Sequence, residues 1–159
     1  VLHIFAALHA AQIRQLADSG EETVIFLDFG INDYIKGFPV DGENPYDCSA
    51  YAGAMRSGIE KLQTIFPKGQ LVLVTPNFIK YSNFGTNPVG EEASVFTDYV
   101  DALRELAKEY ALPVLDIYTE LGIDRDNYTD YLQDEIHLNE TGRFNMGMGV
   151  LGLLQELSF

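Results

Sequence analysis

The sequence predicts an α/β domain built on a parallel sheet. Three observations predict it. Short apolar, β-prone runs alternate along the chain with segments of helical periodicity. The runs TVIFLDF, QLVLVT and LPVLDIY are apolar at nearly every position, so they read as strands covered on both faces. Helix-length stretches separate the runs, as crossover connections between parallel strands require.

Each element follows from local signals. Phe5, Leu8, Ile13 and Leu16 share one helical face, and that helix stops near Ser19-Gly20. Thr23–Phe29 is the first strand, with Asp28 as its one charged residue. Residues 31–47 carry Gly37, Pro39, Gly42 and Pro45 and read as a loop. Ser49 to Phe66 is helical and ends at Pro67-Lys68-Gly69. Gln70–Thr75 is the second strand, and 77–90 is a second loop punctuated by Asn, Gly and Pro. Ser94 is placed to cap a helix whose apolar positions are Val95, Tyr99, Leu103, Leu106 and Tyr110. Leu112–Tyr118 is the third strand. After an acidic loop, Asn139 is an N-cap for a last helix running to Leu157.

Composition fits one domain, residues 1–159, with enough chain to bury a core without staples. Ten basic residues against 24 acidic ones give a net charge of −14, which disfavours nucleic acid and anionic lipid surfaces as partners. The single cysteine, Cys48, excludes an internal disulfide and a multi-cysteine zinc site, and leaves the compartment open. No apolar run reaches the ~20 residues of a membrane span, and no signal peptide is visible. The chain opens at Val1 inside an apolar stretch, and three strands make a thin sheet for an open α/β fold. Both features lead us to expect N-terminal strands before Val1.

Ligands of such sheets sit at the carboxyl ends of the strands. After the first strand comes Gly30-Ile31-Asn32-Asp33-Tyr34. Alone, Gly-x-Asn-Asp is also an ordinary turn, with Gly at positive φ and Asn and Asp bonding their own backbone. Its chemical reading is that the Asn32 amide presents a donor for an oxyanion while Asp33 braces the loop. Before the last helix comes Asp134-Glu135-Ile136-His137. A carboxylate three residues ahead of a histidine reaches its Nδ1 when the segment turns, which leaves Nε2 free as a general base. His3 and His9 have no carboxylate at such spacing.

Together these two blocks resemble the SGNH, or GDSL, hydrolase family. Gly30, Asn32 and Asp33 match its Gly-x-Asn-Asp block after a central strand. Asp134 and His137 match its Asp-x-x-His block before the final helix, with Leu138, Asn139 and Gly142 extending the likeness. The resemblance spans essentially the whole chain, as the family's C-terminal three quarters. It implies a flavodoxin-like three-layer α/β/α sandwich and hydrolysis of acyl or acetyl esters, with a small-molecule ester as substrate: an acyl, acetyl-sugar or lipid ester. It implies no cofactor and no metal. His137 would be the base, Asp134 its orienter and Asn32 an oxyanion-hole donor, with Gly30, Asp33 and Tyr34 beside the substrate.

The sequence departs from the family in one respect. The family's Gly-Asp-Ser nucleophile block belongs upstream of Asn32, where the one serine is Ser19. Ser19 precedes a strand instead of following one, about 20 Å from Asn32 at the wrong end of the sheet. Ser49, Ser57, Ser82, Ser94 and Ser158 also lack a strand-to-helix context. The chain by itself is therefore expected to be nearly inactive and the intact protein active. The rival reading is a degenerate, non-catalytic module that binds a glycan or ester. A third is that a separate chain, or a second copy paired through the open sheet edge, supplies the nucleophile.

Other features weigh less. Cys48 has the carboxylate of Asp47 for a neighbour and no nearby cation in sequence to activate it, so it reads as a small residue at a helix start. Asp124, Asp126, Asp130 and Glu135 mimic calcium-loop spacing, but Thr129 stands where the loop needs Gly, so they read as a solvated acidic loop. Tyr34, Phe38, Phe78, Tyr81 and Phe84 follow strand ends and are candidates for a pocket lining or for lids on the core.

Overall fold

A computed structural model describes residues 23–80 and 95–157. The expected helix through Phe5–Leu16, together with Ser19, Tyr81, Ser82, Phe84 and Ser94, lies outside the described residues. The elements are β1 (Val24–Asp28), α1 (Ile31–Ile35), α2 (Tyr51–Ile65), β2 (Gln70–Val74), α3 (Phe96–Glu109), β3 (Val114–Leu115), α4 (Ile117–Glu120), α5 (Tyr128–Tyr131) and α6 (Glu140–Glu156). The three strands form a parallel sheet in the order β1-β2-β3. Val24 pairs with Gln70 and Asp28 with Val74, so β1 and β2 end level.

Alternation along the strands builds two cores. Leu27, Leu71 and Leu73 face one side and pack with Tyr51, Met55, Ile59 and Leu62 of α2 and Tyr99, Leu103 and Leu106 of α3. Val72, Val74 and Leu115 face the other side, against Met146, Val150 and Leu153 of α6. Helices thus cover both faces, and the α/β class expected from the sequence is the one observed. β2, between two strands, is buried from Leu71 to Val74, which is why it has no polar alternation.

Two local expectations need correction. Residues 31–47 are not loop throughout: α1 begins immediately after Gly30, with Tyr34 N–H donating to the Gly30 carbonyl at 2.9 Å. And LPVLDIY is not a strand to Tyr118. It pairs only at Val114 and Leu115, because Asp116 turns away to cap α4. Arg104 of α3 holds the Asp116 carboxylate with two guanidinium nitrogens, at 3.1 and 2.8 Å, and Thr75 Oγ1 donates to it at 3.0 Å. The Asn139 cap is as expected, its side chain accepting from Gly142 N–H at 3.0 Å. Residue 142 must be Gly, since a Cβ there would lie 2.5 Å from the Tyr131 carbonyl.

Candidate active site

The carboxyl end of the sheet opens into a cleft of about 1000 Å³. Asp28, Gly30, Asn32, Asp33, Asn77 and His137 all line it. The two blocks singled out by sequence, on the order of a hundred residues apart, therefore share one cavity.

Gly30 makes the first wall. Its φ of 129° is a conformation that side-chain-bearing residues rarely adopt, and a Cβ there would press on Pro76 at 3.1 Å. The sharp turn starts α1, so Asn32 lies in the first helical turn beside the cleft. Among the described residues no hydrogen bond engages the Asn32 carboxamide, which leaves its N–H groups available to a ligand. Asp33 is buried at the base of the same turn. Tyr34 goes elsewhere: it is buried in the core, its ring 5.2 Å from Phe96 and 5.6 Å from Tyr99. Phe38, by contrast, lines the cleft.

The opposite wall is the turn between α5 and α6. Leu132 and Leu138 form an antiparallel bridge, and Gln133 N–H donates to the His137 carbonyl at 2.9 Å, closing a tight loop. Inside it Asp134 Oδ1 accepts from the N–H groups of Ile136 (2.8 Å) and His137 (2.6 Å). Its other oxygen, Oδ2, lies 2.8 Å from His137 Nδ1. These bonds, the backbone N–H of His137 foremost, lower the Asp134 pKa to about 2. Asp134 is thus an anion throughout the range in which an imidazole titrates. It fixes the proton on Nδ1, and His137 Nε2 is left as an acceptor beside the cleft. The His137 side chain is 66% exposed and open to solvent.

Asp28, the oddity of the first strand, belongs to the floor of the cleft. Water reaches it there, yet protein surrounds it, and this burial raises its pKa to about 6. The raised value means that folding favours the protonated form. The stability cost is absent below the unfolded pKa of 3.8, grows as pH rises toward 6, and is full above it. Asp28→Asn is expected to raise Tm near neutral pH by roughly 3 °C, about 1 kcal/mol once solvent screening in the open cleft is counted. Near pH ~3, below both values, it should leave Tm unchanged. Thermal melts at the two pH values check this.

Among the described residues no serine hydroxyl is hydrogen-bonded to His137. The Ser49 hydroxyl, though at the cleft, donates to Asp47 at 2.6 Å, and the Ser57 hydroxyl donates to the Gly53 carbonyl at 3.0 Å. Cys48 also lines the cleft, its Sγ 3.4 Å from Ser57 Oγ. Among the described residues, no three His, Cys, Asp or Glu side chains stand close enough to hold a metal ion. Asp124 instead accepts from the N–H groups of Asp126 and Asn127 at 2.8 and 3.0 Å. No helix of the described residues is long and apolar enough to cross a membrane. Sequence reasoning missed Asn77 and left Asp28 without a role; only the fold brings both to the cleft.

A family model described as the GDSL-like lipase/acylhydrolase family matches residues 5–143. The isoamyl acetate-hydrolyzing esterase 1 homolog of Mus musculus is 24% identical over 154 residues, covering 91% of this chain and 60% of that protein. This chain therefore spans less than two thirds of that relative's length. Among solved structures, a protein from Lactobacillus plantarum superposes with a TM-score of 0.75 at 19% identity, covering 94% of this chain and 75% of the other. A possible lipase from Chitinophaga pinensis gives a TM-score of 0.67 at 16% identity, covering 92% and 79%. These likenesses carry the fold.

Proposed function

Since the chain belongs to the GDSL-like lipase/acylhydrolase family, we propose that it forms the base-and-oxyanion part of an ester hydrolase, acting on small acyl or acetyl esters. The observation that carries this reading is the 2.8 Å Asp134–His137 contact opening on the same cleft as the unengaged Asn32 amide. An esterase among the relatives adds to it.

The chemistry runs as follows. A serine hydroxyl, supplied by a part of the protein other than the described residues, attacks the ester carbonyl carbon. His137 Nε2 takes its proton, and Asp134 stabilises the resulting imidazolium through Nδ1. The carbonyl oxygen becomes an oxyanion, to which the Asn32 N–H donates. The tetrahedral adduct collapses as His137 returns the proton to the leaving alcohol. Water, deprotonated in its turn by His137, then attacks the acyl-serine, and His137 gives that proton to the serine oxygen as the acid leaves.

Fluorophosphonate labelling of the longest natural form, with the modified residue mapped by mass spectrometry, tests the proposal. We expect one labelled serine, lying outside the described residues, and loss of the label in His137→Ala. A folded, complete protein that takes no label would overturn the hydrolase and favour the ligand-binding module. Labelling that needs two copies of the chain would place the serine on a partner chain.

A further inference from the structure

We infer that Asn77 is a positioning residue for His137: its carboxamide ties the end of β2 to the turn that carries the histidine. The catalytic arm of this inference rests on the esterase reading; its structural arm does not.

The observation is a pair of hydrogen bonds that no local pattern announces. Asn77 follows β2 after Thr75-Pro76 and is buried. Its Nδ2 donates to the Phe78 carbonyl at 2.7 Å and to the Ile136 carbonyl at 3.0 Å. Ile136 immediately precedes His137. Three residues beyond Asn77, the Lys80 N–H donates to the Glu135 carbonyl at 2.8 Å. The segment after β2 thus grips both residues between Asp134 and His137.

These bonds differ in kind from those inside the turn. Asp134 closes the turn on itself, and that closure survives if the whole turn moves as a rigid piece. The outer bonds tie the turn directly to the end of β2, in addition to the packing of α6 on the sheet. The sheet, through Gly30 and α1, fixes Asn32. Pro76, next to Asn77, occupies the space beside Gly30, the residue that opens the Asn32 turn, where a Cβ on Gly30 would meet its ring at 3.1 Å. One short segment therefore touches both walls of the cleft and sets the span between base and oxyanion donor. A shift of about 1 Å in such a span costs on the order of 100-fold in rate. Both acceptors of Asn77 are backbone carbonyls, so only a side chain with two N–H donors serves. Leaving the carbonyls unmet costs more than the bonds themselves contribute.

The test uses Asn77→Ala and Asn77→Asp. The aspartate keeps the shape without the donors; the alanine adds no buried charge if the aspartate fails to fold. Amide hydrogen exchange of the 159-residue chain should show Lys80, whose N–H donates to the Glu135 carbonyl, exchanging roughly tenfold faster or more, while Ile136 and His137, bonded to Asp134 inside the turn, and β2 and α2 stay within about twofold of wild type. In the ester-cleaving form, kcat should fall about 10- to 100-fold with KM within about twofold. Unchanged exchange at Lys80 in folded variants would overturn the inference. So would protection lost evenly through β2 and α2, failure of both variants to fold, or a raised KM at unchanged kcat. If exchange changes as expected but no form of the protein cleaves any ester, the positioning role stands and the esterase reading falls.

Discussion

Replacing His137 with alanine is expected to lower kcat for ester cleavage by about 10⁴- to 10⁶-fold in the form of the protein that carries the serine. The magnitude follows from what the ring supplies. Without a base, the serine hydroxyl must lose its proton to water, and the leaving alcohol must depart without protonation. Orientation and the Asn32 donor survive the substitution and account for the residual rate. The loss is chemical because the structural cost is small. The side chain is two-thirds exposed and takes no part in either apolar cluster. Asp134 keeps its bond to the Ile136 N–H and to the backbone N–H of residue 137, so the turn stays closed. Tm should therefore hold within about 2 °C, since the one bond lost, from Nδ1 to Asp134, lies on the surface. Steady-state kinetics alongside a thermal melt separates the two contributions. A variant that melts like wild type and retains a tenth of its rate would remove His137 from the mechanism. Acidification offers a second check. With the Asp134 pKa near 2, loss of activity on acidification through the imidazole range cannot come from Asp134 protonation. Its contribution to the pair is present above its unfolded pKa of 3.8 and is lost only as pH falls through about 2.

The Asp134–His137 pair was legible in the sequence because its bond is local. Three residues of turn suffice to close it, and Asn139 marks where the next helix begins. The strands β1 and β2 were legible because burial on both faces forces near-continuous apolar runs. What escaped the sequence is what depends on distant partners. LPVLDIY has strand composition to its end, but Asp116 is drawn out of the sheet by Arg104, 12 positions earlier, and by Thr75, 41 positions earlier. Tyr34 follows the Gly-x-Asn-Asp block like a site residue, yet the turn of α1 points it into the core with Tyr99. Asn77 lies in what composition marks as an ordinary loop, and its partner carbonyl is 59 positions away. Asp28 broke the apolar pattern of its strand visibly, but only the cleft around it explains the break.

Asn32→Ala is expected to lower kcat by about 100- to 1000-fold while leaving KM within a few-fold. The asymmetry comes from when the amide acts. A neutral ester carbonyl accepts a weak hydrogen bond in the ground state. As the serine adds, that oxygen gains a full negative charge, and a donor held in place strengthens its bond without reorganising. Asn32 is held by its helix and not by its own side chain. α1 is anchored through buried Asp33 and Tyr34, whereas the Asn32 side chain is exposed and has no hydrogen bond from a described residue. Removing it leaves the turn and the cleft standing, so the rate change reads the oxyanion and not the fold. Asn32→Asp sharpens the measurement. It preserves shape but replaces a donor with an anion facing the developing negative charge, so its rate should fall below that of the alanine variant. Kinetics of the two variants therefore discriminate between roles. If alanine and aspartate lower kcat in that order, Asn32 faces the oxyanion. If both leave kcat intact and raise KM, the amide contacts the substrate away from the reacting carbonyl, and the donor must come from elsewhere in the protein.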